Sequence, residues 1–149
     1  GVAAILGIKR RCSYEGQGAV LLEAAASADD GVYNYTLDGA PLRFDWRDMI
    51  RGIVTDMNRG DDVGAIAARF MNTLIDMATR QCGAARSETG LDSVVLSGGT
   101  FQNMYLMRWL PERLREAGFT VYHHSRVSTN DEGISLGQLM VAQHQLERK

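Results

Sequence analysis

Apolar and polar positions along this chain follow two rhythms, and the change falls near residue 90. Before it, helical spacing dominates. Val2 to Ile8 is a short apolar stretch ended by Lys9-Arg10-Arg11, which predicts a first helix. Ser13 is placed to cap a second, from about Tyr14 to Ala26, in which Ala19, Leu22 and Ala26 keep helical spacing before Asp29-Asp30-Gly31 stops it. Val32 to Leu37 alternates and is rich in aromatic and β-branched residues, the pattern of a strand. Asp38-Gly39 is a turn pair, and Leu42-Arg43-Phe44 is the returning strand of a hairpin. Asp45 then caps a helix from Trp46 to Asn58. Gly60-Asp61-Asp62 breaks the chain and caps a longer helix from Val63 to about Cys82, with Ile66, Phe70, Leu74, Met77 and Ala78 as its apolar stripe.

After Gly90 the pattern is that of a βαβ unit. Ser93-Val94-Val95-Leu96 reads as a short strand of the buried, parallel kind. A helix from about Gln102 to Ala117 follows, with Gly118 just past its end, and Phe119 to Tyr122 is the second strand. A polar loop from Ser125 to Asp131 leads into a last helix, about Gly133 to Glu147. The fold class is therefore α/β, and no internal repeat or low-complexity segment interrupts it.

Size and charge narrow the picture. A chain of 149 residues is one domain, able to bury roughly 68–70% of its unfolded surface. With 45% hydrophobic residues, 23% charged residues and two prolines, it is neither disordered nor a proline-rich linker. No apolar run reaches the ~18 residues that span a bilayer. Sixteen basic and eighteen acidic residues give −2, with eight basic and ten acidic in the first 75 positions and eight of each thereafter. Neither part has the basic excess that binding a phosphate backbone requires, so nucleic acid is not an expected partner. Cys12 and Cys82 lack CxxC spacing, which points to a reducing, cytoplasmic setting rather than a disulfide or zinc framework. The N-terminus, Gly-Val-Ala-Ala-Ile, has neither an initiator Met nor a basic signal region and reads as the middle of a longer protein.

Leu96-Ser97-Gly98-Gly99-Thr100-Phe101-Gln102-Asn103 carries the sharpest chemical signal. Paired glycines between a strand and a helix let backbone N–H groups approach a ligand, and the helix start adds its positive end. That suits a phosphate or another anion, with Asn103 presenting its amide toward the crevice at the strands' carboxyl ends. The same residues also serve as a plain strand-to-helix turn. Asn130-Asp131-Glu132-Gly133 places two carboxylates at a helix start, where they cap it or supply one ligand to a divalent cation. His123, His124 and His144 form no HxxxH pattern, so a metal site built from this chain alone is not expected. Glu15, in Ser13-Tyr14-Glu15-Gly16-Gln17-Gly18, is a first-turn acid or part of a nucleotide site. The seven methionines read as core filler. No Ser/His/Asp triad or activated cysteine is indicated.

SYEGQ at 13–17, LSGGTFQN at 96–103 and NDEGISLGQ at 130–138, in that order, resemble the C-terminal end of the HypF family, the carbamoyltransferases of nickel–iron hydrogenase maturation. The resemblance covers essentially the whole chain. It implies the second lobe of a Kae1-like domain of the actin-like ATPase (ASKHA) superfamily, with a ribonuclease H-like core, in a longer protein that also carries acylphosphatase-like, zinc-finger-like and YrdC-like regions. Carbamoyl phosphate and ATP would give carbamoyl-adenylate, and the carbamoyl group would pass to the C-terminal cysteine of a HypE-like partner. The Ser97-Gly98-Gly99 turn would cradle phosphate, Asn103 and Glu15 would contact the nucleotide, and Asp131 would be a metal ligand. The histidine pair that completes the metal site in relatives lies in the first lobe. Glu132 stands where relatives often have glycine and adds a negative charge beside that metal. On this view the lobe alone holds half a site and does not catalyse the reaction. Rival readings are the tRNA threonylcarbamoyladenosine enzyme of the same fold, a kinase lobe of the actin-like group, and a non-catalytic module that docks a partner.

Overall fold

The computed structural model describes residues 1–39 and 42–147. A long helix organises it. In chain order the elements are α1 (Val2–Ile5), α2 (Gln17–Ala25), β1 (Thr36–Asp38), β2 (Arg43–Asp45), α3 (Arg47–Arg59), α4 (Val63–Thr89), β3 (Ser93–Leu96), α5 (Met104–Glu116), β4 (Thr120–His123) and α6 (Ile134–Glu147). One 3-10 turn over Gly99–Gln102 precedes α5, and another over Asp131–Gly133 precedes α6.

Asp62 caps α4 as its position predicts, accepting the Ala65 N–H at 2.9 Å. The helix then runs seven residues past Cys82, because Gly83 is tolerated amid good helix formers and the left-handed stop comes only at Gly90. Ile66 and Met77 of the predicted stripe are buried and Phe70, Leu74 and Ala78 are partly so. Ala67, Met71, Thr73 and Ile75 are buried as well, so α4 is wrapped on more than one side. α2, α3 and α5 pack on it, and Leu22, Ile53, Leu106, Leu110 and Leu114 complete one continuous core. Burial of such aliphatic side chains contributes about 1.5–3 kcal/mol each.

Other expectations shift. α2 begins at Gln17 rather than Tyr14, because Gly16 sits at φ +81° and holds Tyr14 to Gly16 in a turn. Ser13 is not its cap; both its N–H and its hydroxyl donate to Gln17 Oε1. The strand predicted over Val32–Leu37 is a ladder only at Thr36–Asp38, paired antiparallel with β2 from Thr36↔Asp45 to Asp38↔Arg43. Upstream, side chains replace the ladder. The Tyr33 N–H donates to Thr73 Oγ1, and the hydroxyls of Tyr33 and Tyr35 donate to Asp56 and Asp76. The same segment is tied to α4 by Arg69, which pairs with Asp29 and Asp56. The Arg69 guanidinium holds the Asp29 carboxyl below the usual carboxylate range.

β3 and β4 pair in parallel from Ser93↔Thr120 to Leu96↔His123, with α5 as the crossover. The pairing is as predicted, but the burial is not. Leu96 is 4% exposed, whereas Val95 is 67% and Tyr122 57% exposed, so only the α5 side of this pair is covered. α6 buries none of its residues, although it carries Ile134, Leu136, Leu139, Met140, Val141 and Leu146. Parallel strands are ordinarily covered on both faces. No described helix is long and apolar enough to cross a membrane.

Candidate functional site

The strand pair sends both of its carboxyl ends to one edge of the molecule. Ser97 follows β3 there and His124 follows β4, and the register sets them side by side. Ser97 Oγ lies 3.0 Å from His124 Nε2. Gly98 comes next at φ +103° and ψ +163°, a conformation essentially reserved for glycine. The Gly98 N–H donates to the carbonyl of Thr129 at 2.8 Å. That bond holds the glycine turn against the loop leading to Asp131. Asn130 closes this loop by accepting from the Ser128 hydroxyl and the Glu132 N–H. A Cβ on Gly133 would lie 2.9 Å from the Ser128 carbonyl, so close approach requires glycine there. The Thr129 hydroxyl is buried without a hydrogen-bond partner among the described residues.

Gly99 and Thr100 open the 3-10 turn, so their N–H groups have no partner within it, and neither donates elsewhere among the described residues. A Cβ on Gly99 would meet nothing within 4 Å. Beside them lies a cavity of about 340 Å³ between the start of α2, one face of α4 and the Gly99–Asn103 segment. Phe70, Met71, Leu74 and Leu106 give it apolar walls, and Gly99, Thr100, Gln102, Asn103 and Glu23 supply a polar rim. An apolar slot with a few convergent polar groups is the usual form of a small-molecule site.

The start of α5 departs from expectation. Glu23 Oε1, from α2, accepts the N–H groups of Met104 and Tyr105 at 2.7 and 3.1 Å. Asn103 Oδ1 accepts from Leu106 at 2.9 Å. The positive end of this helix is thus already met by a carboxylate, and an anion is left with the Gly99 and Thr100 N–H groups instead. Asn103 still lines the cavity, but its oxygen is the helix cap, which leaves its NH₂ for a ligand. We expect Glu23→Ala to destabilise the chain by about 1–2 kcal/mol through loss of this cap. Glu23→Gln should keep most of it, with both read from urea denaturation midpoints.

The remaining candidates are dispersed. Glu15 is exposed and does not line this cavity, although its neighbour Gly16 does. Asp131 is exposed outside the cavity, linked to Gly98 only through the Thr129 bond. Among the described residues no three His, Cys, Asp or Glu side chains come together to hold a metal ion. Asp131 fits a metal only as one ligand of a set completed from elsewhere. Glu23 and His124 are the residues that sequence reasoning missed. Nothing links Glu23 to Met104, 81 positions away. His124 was legible in part, since each of the two parallel strands is followed at once by a polar side chain.

The class is that of an α/β lobe with a parallel strand pair, a kind of fold in which ligands ordinarily meet the strands' carboxyl ends. A family described as "Carbamoyltransferase, Kae1-like Domain, second subdomain" matches residues 1–138, and the chain belongs to it. The carbamoyltransferase HypF of Synechocystis sp. is 31% identical over 144 residues, which are 94% of this chain and 18% of that protein. Full-length HypF, solved in a phosphate- and nucleotide-bound form, superposes with a TM-score of 0.92 at 39% identity, over 98% of this chain and 20% of that one. A tRNA N6-adenosine threonylcarbamoyltransferase of Syntrophotalea carbinolica is 32% identical over 78 residues, 52% of this chain and 23% of that protein. The fold is that of a Kae1-like domain subdomain, and the chain spans about a fifth of the length of the HypF relatives it matches.

Proposed function

We propose that this chain is one lobe of a cytoplasmic HypF-type carbamoyltransferase. The whole protein uses carbamoyl phosphate and ATP to form carbamoyl-adenylate and passes the carbamoyl group to the C-terminal cysteine of a HypE-like partner in nickel–iron hydrogenase maturation. The observation that carries this reading is the glycine turn opening beside an apolar cavity, on a fold matching a protein solved with phosphate and nucleotide.

In this reading the nucleoside occupies the cavity against Phe70 and Leu74, with the Asn103 NH₂ at its rim. The Gly99 and Thr100 N–H groups face the adenylate phosphate, and the backbone of Ser97-Gly98 holds them in place. In transfer, the acceptor sulfur bonds to the carbamoyl carbon and the carbon–oxygen bond to the adenylate phosphate breaks. AMP departs with the added negative charge. Fixed backbone donors aimed at that charge stabilise it without reorganising. Glu15 borders the site only through Gly16 and is its weakest member. Asp131 would give a divalent metal one carboxylate, with its other ligands coming from outside this chain.

Half a site should bind weakly. Calorimetric titration with a non-hydrolysable ATP analogue should give little or no heat with this chain alone. Binding should appear when the rest of the Kae1-like domain is supplied. Tight, metal-dependent binding by the 149 residues alone would contradict the shared-site reading.

A further inference from the structure

We propose that His124 is the proton acceptor for the incoming thiol in carbamoyl transfer and that Ser97 holds its ring in place; the proposal rests on the function argued above. The parallel register brings the two side chains together at the carboxyl ends of β3 and β4, with Ser97 Oγ 3.0 Å from His124 Nε2. Ser97 is bonded through the chain to Gly98, so the imidazole stands one residue from the turn that faces the leaving phosphate. A thiol is a poor nucleophile and a thiolate a good one, so transfer near neutral pH calls for a base.

With the ring proton on Nε2 and donated to Ser97 Oγ, the lone pair is on Nδ1. That atom has no hydrogen-bond partner among the described residues. Nδ1 takes the thiol proton as sulfur bonds to the carbamoyl carbon. AMP leaves with the electron pair of the broken carbon–oxygen bond, and the imidazolium later returns its proton to solvent. Ser97 steadies the ring throughout and has its own O–H to offer a phosphate oxygen on the adjoining turn. A base of this kind is worth roughly 10²–10⁴-fold in rate where the nucleophile is otherwise protonated.

Among the described residues, Ser97 is the side chain that hydrogen-bonds to the His124 ring. Residues 93–102, from β3 through the glycine turn, include no charged side chain. α5 packs on β4 and buries Leu106, Leu110 and Leu114, while its charged side chains are exposed. On the histidine's own segment, His123 Nδ1 lies 3.2 Å from the His124 carbonyl oxygen. Arg126, Asp131 and Glu132 of the following loop make no hydrogen bond to the imidazole.

The test uses the full-length protein carrying this chain and a peptide ending in cysteine, with pyrophosphate release and thiocarbamate formation followed separately in single turnovers. His124→Gln should release pyrophosphate normally. Its transfer should be at least tenfold slower than wild type near neutral pH, with the gap closing as the pH rises past the ordinary thiol range near ~8.5. Ser97→Ala should fall between the two, and His144→Gln should match wild type. A His124→Gln protein that transfers at the wild-type rate throughout overturns the proposal, as does one that loses pyrophosphate release in equal measure. If the wild-type protein itself forms no carbamoyl-adenylate, the carbamoyltransferase reading fails and this role falls with it.

Discussion

Gly98→Ala is expected to lower the melting temperature by roughly 3–10 °C and to weaken nucleotide binding by the full-length protein at least tenfold. The first effect is conformational. At φ +103° and ψ +163° a Cβ is strained by about 1–3 kcal/mol whatever the space around it, and a domain of this size loses about 2–4 °C per kcal/mol. The second follows because the turn relaxes by moving the two donors behind it. Gly99→Ala separates the effects. Its φ is not positive and a Cβ there touches nothing within 4 Å, so the chain should melt near the wild-type temperature. The added methyl brings bulk to the residue that carries one of the two donors, so nucleotide binding should still fall. Differential scanning fluorimetry and nucleotide titration on both variants read the pair. Equal binding by Gly99→Ala and wild type would place the phosphate elsewhere.

The largest loss of stability is expected from Asp56→Ala, about 3–5 kcal/mol and some 10 °C in melting temperature. Asp56 is 5% exposed and joins three side chains: the Tyr33 hydroxyl at 2.8 Å, Arg69 and Arg59. Its removal strips Tyr33 of its acceptor and leaves the Arg69 guanidinium, 23% exposed, with Asp29 alone. Burial, and then the bond to Asp56, push the Tyr33 hydroxyl well above its ordinary pKa, so it stays a neutral donor through the working range. Tyr33→Phe should cost less, because the Asp56–Arg69 pair survives. Urea denaturation of the two variants gives the order. A wild-type midpoint for Asp56→Ala would show that the network contributes nothing to stability.

How much was legible depends on whether the determining contact is local. The α4 stripe, the Asp62 cap and the SVVL strand running into paired glycines are local patterns, and they stand where the spacing put them. The end of α4 was misplaced because Gly83 resembles a stop, while the left-handed residue that ends the helix is Gly90. Val32–Tyr35 alternates like a strand, yet its partners are Thr73, Asp56 and Asp76 on two helices, contacts that a two-residue period cannot encode. Val95 is as apolar as its neighbours and nonetheless exposed, since burial depends on what lies over the sheet.

The candidate site divides the same way. Gly98 is held by its own backbone angle and could be read directly. The ion seat could not, because the helix start predicted to receive an anion is filled by Glu23 from another helix. Asp131, the expected metal ligand, does not line the cavity that Gly99 and Asn103 border. It reaches them only through the Gly98–Thr129 bond, as a neighbour of the turn rather than a wall of the cavity.

A crystal structure of the full-length protein with a non-hydrolysable ATP analogue is the most direct trial of the central claim. The account predicts a phosphate oxygen within hydrogen-bonding distance of the Gly99 and Thr100 N–H groups and the base against Phe70 and Leu74. A nucleotide seated away from this turn, or a turn sealed by another part of the polypeptide, would contradict it.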